Sequence, residues 1–274
     1  MLDYKITEEE FRSFQNFIYD HAGIKLSDQK TLLVNSRLAS RLRHYSLDSF
    51  SQYFDLVMES PPQGERQVVT DLLTTNETYF FREPKHFAHL EKEVLPKWRG
   101  GRPFRVWSAA SSTGEEAYSI AMLLDDMLGS MPWEIVGSDI SSRVLKKAQQ
   151  GLYQQTRIDG IPREYMSRYC LKGTGDYAGS LLIDKKLRQN VTFTTYNLKK
   201  PERKMGPFHI IFLRNVLIYF DAETTKQIIN NLVRELHNDG LLFIGHSESI
   251  KGVHRDLEAV IPTVYRKTPG GKRK

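Results

Sequence analysis

The stretch of the chain with the clearest chemical potential is residues 104–116, which read FRVWSAASSTGEE. The apolar run at its start is typical of a buried parallel strand, and the small residues after it let a ligand approach the backbone closely. A helix then begins at Thr113 or Gly114. Free N–H groups at a helix start favour phosphate, but Glu115 and Glu116 would repel it. The two acids indicate a ligand with hydroxyls and a positive charge, although first-turn acids more commonly only compensate the helix dipole.

A third acid, Asp139, ends the next predicted strand, which starts at Trp133. An acid at this position can accept hydrogen bonds from both hydroxyls of a ribose, which favours an adenosine-type cofactor. Gly114 is the only glycine in the preceding turn, so the three-glycine fingerprint of dinucleotide folds is missing. This disfavours pyrophosphate binding and a nicotinamide-dependent oxidoreductase. Taken alone, Asp139 could equally well cap the helix that follows it.

The elements that must position these residues alternate between strand and helix, which predicts a parallel sheet with right-handed crossovers. In such a sheet, ligands bind beyond the carboxyl ends of the strands. We therefore expect the residues at the strand ends to converge on one site. They are Ala109 to Glu116, Asp139, Asn197, Leu198, Arg214 and Asn215.

Three segments are expected along the chain. Residues 1–75 contain four helical patterns and predict an all-helical N-terminal domain. Residues 76–100 form a polar and aromatic linker followed by a helix with Pro84 in its first turn. Residues 101–274 carry the sheet, which the strand Val260–Tyr265 helps to close, with a small antiparallel β subdomain at about 171–190.

Composition limits the class of protein. The chain has 274 residues, of which 40% are hydrophobic and 26% charged, which is typical of a soluble globular protein. No stretch resembles a signal peptide or a membrane span, so we expect a cytoplasmic protein without direct membrane insertion. The single cysteine, Cys170, cannot form an internal disulfide and is expected to be a small buried residue. No metal site is predicted.

The formal charge of +6 suggests nucleic acid at first, but the positive charge is local. Residues 1–75 hold eight Lys and Arg against eleven Asp and Glu. Within them, Lys30, Arg37, Arg41 and His44 form a basic stripe beside the apolar stripe of the second helix. Such a stripe is more often a solvated face, and docking onto an acidic helical partner is the alternative. The basic C-terminal residues 272–274 are expected to be a solvated tail.

Five motifs in order resemble the CheR family of chemotaxis receptor methyltransferases. They are NETYFFR at 76–82, WSAASSTGEEAYSI at 107–120, SDI at 138–140, RNVLIYF at 214–220 and GHSE at 245–248. Each motif alone would be weak evidence, but together they span nearly the whole chain, including the helical front domain and the small insertion.

The resemblance implies a class I S-adenosylmethionine-dependent methyltransferase, an α/β fold with a Rossmann-like doubly wound sheet. It implies methylation of glutamate side chains on the cytoplasmic helical bundle of chemoreceptors, with S-adenosylhomocysteine as the product. The cofactor-contacting positions carried over from the motifs are Asn76, Thr78, Arg82, Glu116, Asp139, Asn197, Leu198, Arg214 and Asn215. In this set Asp139 suits the ribose, Arg82 suits a carboxylate, and Glu116 suits the ammonium of the methionine moiety.

Such a reaction makes little demand on acids and bases, because a glutamate is already an anion at neutral pH. We expect in-line transfer without a general base, with catalysis by alignment and exclusion of water. Arg82 and Tyr219 are the catalytic candidates for that alignment. Arg37, Arg41 and Arg43 are the candidates for docking the receptor bundle, and in this family the β insertion can bind a peptide tether at the receptor C-terminus.

Two other functions stay open on the sequence. One is an RNA or other protein methyltransferase, although no basic groove interleaved with aromatic residues is apparent and no nucleic acid partner is expected. The other is a non-catalytic scaffold of the same fold, against which the presence of Arg82, Asp139 and Tyr219 argues.

Overall fold

The computed structural model describes residues 4–268, and the basic tail predicted at 272–274 lies outside them. Four helices come first along the chain. They are α1 Glu8–Ala22, α2 Thr31–Tyr45, α3 Phe50–Glu59 and α4 Glu65–Leu73. Thr7 and Glu10 form a capping box at the start of α1, and Gly23 ends that helix with a left-handed backbone, φ 78°.

The four helices enclose an apolar cluster of their own, which includes Phe14, Leu38 and Tyr53. Beside this cluster Glu65 is almost fully buried and is held by Arg41, whose Nη2 lies 2.7 Å from its Oε2. The hydroxyls of Tyr45 and Tyr53 also donate to Glu65, at 2.9 and 2.5 Å. Burial alone would raise the pKa of Glu65, but the hydrogen bonds from Arg41 and the two tyrosines outweigh it and lower the pKa. Arg41 therefore balances a buried charge inside this helical layer.

After a linker, the chain forms a seven-stranded sheet in the order β6-β2-β1-β7-β8-β10-β9. The strands are β1 Phe104–Ser108, β2 Trp133–Asp139, β6 Val191–Thr195, β7 Phe208–Leu213, β8 Leu236–Ile244, β9 Leu257–Ile261 and β10 Val264–Lys267. The first five in spatial order run parallel, so their carboxyl ends share one edge.

Both faces of the sheet are covered, which explains why the central strand β7, FHIIFL, is almost entirely apolar and buried. The flanking helices are α5 Pro84–His89, α6 Glu115–Leu128, α7 Ser142–Gln150, α8 Arg163–Tyr169, α9 Lys185–Arg188 and α10 Ala222–Arg234. Val106 packs in one core cluster with Ile120 of α6, whereas the next residue, Trp107, packs in the other with Ile228 of α10. The predicted doubly wound α/β fold with a separate small antiparallel sheet is confirmed.

The small sheet differs in extent from the prediction of about 171–190. Its strands are β3 Leu152–Gln154, β4 Cys170–Lys172 and β5 Ser180–Ile183, in the order β3-β5-β4. The sheet thus begins about twenty residues earlier than predicted, because a short strand was hidden directly after α7. Residues 185–188 form a short helix, and the side chain of Leu187 in this helix is buried in the main core.

The far edge of the main sheet also differs from the prediction. A single strand was expected at Val260–Tyr265, but Pro262 and Thr263 turn the chain there, and Thr263 has a positive φ of 66°. The result is the antiparallel pair β9 and β10. Residues 238–240 have the sequence NDG, which is typical of a turn, but they lie inside β8, where the register with β7 shifts.

The N-terminus of α7 shows a contact that local sequence did not reveal. Ser141 directly precedes this helix, but its side chain makes no capping hydrogen bond. Instead Asp71 of α4 accepts from the backbone N–H groups of Ser142 at 2.9 Å and Arg143 at 3.2 Å. The cap is supplied by a helix that lies 71 residues earlier in the chain. Within residues 4–268, no helix is long and apolar enough to cross a membrane.

Replacing Arg41 by Gln should destabilise the helical layer by about 3 kcal/mol, because it leaves the buried Glu65 carboxylate without its cation. The measurement is urea unfolding followed by circular dichroism. Arg43→Gln on the same helix is the matched control, since Arg43 is exposed. Equal stability of the two variants would contradict the structural role given to Arg41.

Candidate functional site

A cavity of about 310 Å³ opens at the carboxyl edge of the parallel strands. Ten residues singled out from the sequence line it. They are Asn76, Thr78, Arg82, Glu116, Asp139, Asn197, Leu198, Arg214, Asn215 and Tyr219. They come from the linker, α6, and the ends of β2, β6 and β7. The parallel topology brings them together although up to 143 positions separate them in the sequence.

The turn after β1 forms the floor of the cavity with Ala109 and Ala110, whose small side chains leave the backbone accessible. Two left-handed residues shape this turn, Ser112 with φ 48° and Gly114 with φ 94°. A Cβ on Gly114 would lie 2.9 Å from the Cβ of Ala148, so the turn needs glycine both for its conformation and for its packing against α7. The turn does not suit a phosphate ligand, because the carboxylates of Glu115 and Glu116 follow it directly.

Asp139 is fixed at the end of β2 by two backbone N–H groups. Its Oδ1 accepts from Ser141 and its Oδ2 from Ser112, each at 2.9 Å. Each oxygen has one further lone pair, and the residue lines the cavity. Burial raises the pKa of Asp139 to about 6, although the two N–H groups act in the opposite direction. The carboxylate can therefore accept two hydroxyls, and it loses this ability in mild acid.

The two acids that begin α6 have different environments. Glu115 is fully buried away from the cavity, where it accepts from Thr113 Oγ1 at 2.6 Å and pairs with Arg157 at 2.8 Å. Glu116 lines the cavity, accepts from Ser108 Oγ at 2.6 Å, and lies 3.3 Å from Arg214. Burial raises the pKa of Glu116 against the lowering effect of Arg214. Glu116 is thus the acid that a cationic ligand would meet.

Arg214 lies at the centre of the site and is nearly inaccessible, with 1% of its side chain exposed. Besides Glu116 it contacts Glu83, at 3.2 Å, and it donates to the carbonyl oxygen of Arg82. The predicted strand-end arginine is therefore placed by the linker as well as by β7.

Glu83 is the residue that the sequence reasoning missed. Its Oε1 accepts from Asn215 Nδ2 at 3.1 Å and from the backbone N–H of His246 at 3.0 Å, while Oε2 faces Arg214. Burial alone would raise the pKa of Glu83, but the His246 N–H and Arg214 outweigh it and lower the pKa. Glu83 holds both cavity residues that follow β7, and it does so from a left-handed conformation, φ 58°. The sequence signal that could have identified Glu83 is its position between Arg82 and Pro84, the first residue of α5.

Two further lining residues, Arg82 and Tyr219, are partly exposed and have free polar groups. Arg82 donates to the carbonyl oxygen of Glu77 at 3.1 Å, and its guanidinium lies 5.5 Å from the ring centroid of Tyr79. In the described part of the chain, the hydroxyl of Tyr219 makes no hydrogen bond. Burial raises the pKa of Tyr219, so the hydroxyl keeps its proton at neutral pH and can donate. The pair can bind an incoming anion.

The loop from α1 to α2 forms one wall of the cavity, which the sequence did not indicate. Ile24, Lys25 and Leu26 line this wall. The backbone N–H of Lys25 donates to the carbonyl oxygen of Tyr219 at 2.8 Å, and Asn197 Nδ2 donates to the carbonyl oxygen of His21 at 2.7 Å. The site is therefore shared between the helical layer and the sheet.

The three arginines predicted to bind a partner lie away from the cavity lining. Arg37 Nη1 donates to the carbonyl oxygens of Leu72 and Thr74 at 3.0 and 2.9 Å, and Arg41 holds Glu65. Both guanidinium groups are used within the helical layer. Arg43 is exposed.

Comparison with known proteins gives matches over nearly the whole chain. The model of the CheR methyltransferase all-alpha domain matches residues 9–74, and that of the CheR methyltransferase SAM binding domain matches residues 76–266. The chemotaxis protein methyltransferase of Escherichia coli (strain K12) is 41% identical over 263 residues, which cover 95% of this chain and 91% of that protein. Chemotaxis protein methyltransferase 2 of Pseudomonas aeruginosa is 41% identical over 266 residues, covering 96% and 94%.

Proposed function

Because the chain belongs to the CheR methyltransferase family, whose cofactor is S-adenosylmethionine (SAM), we propose that it methylates glutamate side chains of chemoreceptors. The observation that carries this proposal is the cavity at the strand ends, whose lining contains the acids Asp139 and Glu116 together with Arg82 and Tyr219. The chemotaxis methyltransferase names of its relatives support the choice of substrate.

The cavity suits SAM in its donor and acceptor groups. Asp139 has two free lone pairs for the ribose hydroxyls, and Glu116 offers a half-buried carboxylate to the ammonium group. Asn76, Thr78, Asn197, Leu198, Arg214 and Asn215 complete the proposed cofactor set, all of them in the cavity lining. When bound, SAM supplies a methyl group that its positively charged sulfur already activates.

The chain's own task is then to hold a carboxylate in line with that methyl group. Arg82 has four of its five N–H groups free of the contact with Glu77, and it can pair the carboxylate bidentately. The Tyr219 hydroxyl is the second proposed donor. Since a glutamate is ionised at neutral pH, no residue needs to remove a proton. We assign catalysis to alignment in a cavity partly closed by apolar residues such as Phe87 and Leu198.

Residues 1–75 are proposed as the receptor-docking domain, and the charge of α2 supports an acidic partner. Arg37 and Arg41 stay within this proposal as neighbours of the docking face, but each also stabilises the helical layer. Arg43, which is exposed, is the residue that can act mainly through a partner. In the small sheet, β4 pairs with another strand on one side only, which supports the proposal that it binds a receptor peptide tether.

The reaction is tested with methyl-labelled SAM and membranes that contain chemoreceptors, followed by mild base. Methyl esters should release volatile labelled methanol, whereas N-methyl or RNA-ribose products would not. Label that stays on the receptors after base treatment would contradict glutamate methylation, and receptors without label would favour a non-catalytic scaffold.

Replacing Tyr219 by Phe should lower the rate of methyl transfer roughly tenfold, because one donor to the carboxylate is lost. The affinity of this variant for S-adenosylhomocysteine should stay unchanged.

Cofactor binding should weaken as pH falls through about 6, because Asp139 then takes up a proton and loses acceptor capacity. Calorimetric titration of S-adenosylhomocysteine between pH 5 and 8 measures the change, for which we expect roughly tenfold. Asp139→Asn should bind weakly across this range with a smaller dependence on pH. An unchanged pH profile in this variant would refute the ribose-binding role of Asp139.

Arg43→Glu should lower receptor methylation several-fold while the affinity for S-adenosylhomocysteine and the unfolding midpoint stay constant. The physical reason is repulsion between the reversed charge and an acidic receptor helix, which added salt should reduce. Lys204→Glu is the matched control, because Lys204 is an exposed cation in the loop between β6 and β7. Equal loss in both variants would show a general charge effect and no docking face on α2.

A further inference from the structure

Among residues 4–268, one group of three possible metal ligands lies together outside the proposed cofactor contacts. Glu83 precedes α5, His86 lies in its first turn, and His246 follows β8. One ligand atom from each lies within 4.8 Å of the other two. The two imidazole rings are 4.9 Å apart between centroids. The cluster joins the linker to the sheet.

The hydrogen bonds of His86 leave one of its nitrogens with a lone pair. Its Nε2 lies 2.8 Å from Thr263 Oγ1, while that hydroxyl donates its own proton to the carbonyl oxygen of Pro262 at 2.6 Å. Nε2 must therefore carry the hydrogen in this contact. A neutral imidazole with its hydrogen on Nε2 has a lone pair on Nδ1.

That Nδ1 is buried and, among the described residues, has no hydrogen-bond partner, although only 1% of the side chain is exposed. It faces Glu83 Oε2 at 3.4 Å. Two atoms with lone pairs thus point at each other without a hydrogen between them. Oε2 already has Arg214 as a partner, but a buried nitrogen without one is costly, and a cation placed between the two atoms would give Nδ1 a partner.

The spacing fits a transition metal. Zinc bonds of about 2.0–2.2 Å in a tetrahedron place neighbouring ligand atoms about 3.3–3.6 Å apart, and the Glu83–His86 distance falls in this range. His246 Nε2 lies 3.9 Å from Glu83 Oε2, and 44% of its side chain is exposed, so its ring has room to approach. We propose that Glu83, His86 and His246 bind one divalent transition-metal ion, with zinc as the best match.

The types of ligand atom favour zinc over Ca²⁺ and Mg²⁺. Two imidazole nitrogens and one carboxylate suit zinc and its neighbours, whereas Ca²⁺ and Mg²⁺ prefer sets of oxygen ligands. Water can fill the fourth position on the side of the exposed His246. Because Arg214 lies 3.2 Å from the same Oε2, the metal shares a carboxylate that is already paired, and its affinity is lower than in a site with an unshared ligand set.

The test uses tag-free full-length protein, first stripped of metal and then titrated with Zn²⁺ in competition with a chromophoric chelator. We expect one tight Zn²⁺ per chain, no competition by millimolar Mg²⁺, and at least about tenfold weaker Zn²⁺ binding by His246→Gln. His246 is the ligand to change because it is exposed, so the variant should fold. His44→Gln removes an exposed histidine from α2 and is the matched control.

Equal Zn²⁺ affinity of wild type and His246→Gln would overturn the proposal, and so would equal losses in His246→Gln and His44→Gln. Absence of a stoichiometric site in the wild type would overturn it as well. A further check is His86→Gln with its unfolding midpoint measured in parallel: a folded variant that keeps the full Zn²⁺ affinity refutes the assignment of Nδ1. None of these outcomes depends on methyl transfer.

Discussion

The burial of one guanidinium group constrains the rest of the site. Arg214 has almost no contact with solvent, and a buried charge is costly unless partners surround it. Its partners are the carboxylates of Glu83 and Glu116 and the carbonyl oxygen of Arg82. They come from the linker and from the start of α6, so these two elements must meet at the end of β7. The contact between the linker and α6 at the end of β7 therefore shapes the cavity.

The same constraint explains why residues of the helical layer reach the cavity. The linker that contains Glu83 begins directly after α4. The position of α4 against the sheet domain is fixed by Asp71, which caps α7. On the other side, Asn197 and Lys199 donate to backbone carbonyls at the end of α1. The loop after α1 is therefore held against the strand ends. A helical layer that could bind a receptor is at the same time a wall of the cofactor cavity.

What could be predicted from the sequence depends on whether the cause is local. Strand ends such as Asp139 and Arg214 could be placed together, because parallel topology alone makes them converge. The caps of α1 by Thr7 and of α10 by Asp221 are likewise local, because each side chain accepts from an N–H group three residues later. The pairing of Arg41 with Glu65 was not, because a basic stripe on a helix looks the same whether solvent or a buried acid faces it. Glu83, Asp71 and the early start of the small sheet were missed for the same reason, since each depends on a contact far along the chain.

The charges of the cavity bear on why the proposed reaction needs no base. Glu83 is paired with Arg214, and the cavity lining also contains the acids Asp139 and Glu116 and the cation Arg82. A cofactor with net positive charge suits the two acids, and a substrate carboxylate suits Arg82. Transfer of a methyl cation from sulfur to carboxylate cancels a positive and a negative charge at once. Charges that disappear in the transition state are stabilised less by water than the ions from which they came, so a cavity that excludes water lowers the barrier without moving a proton. The main demand on the protein is then geometric, and the buried Glu83–Arg214–Glu116 cluster provides the rigidity for it.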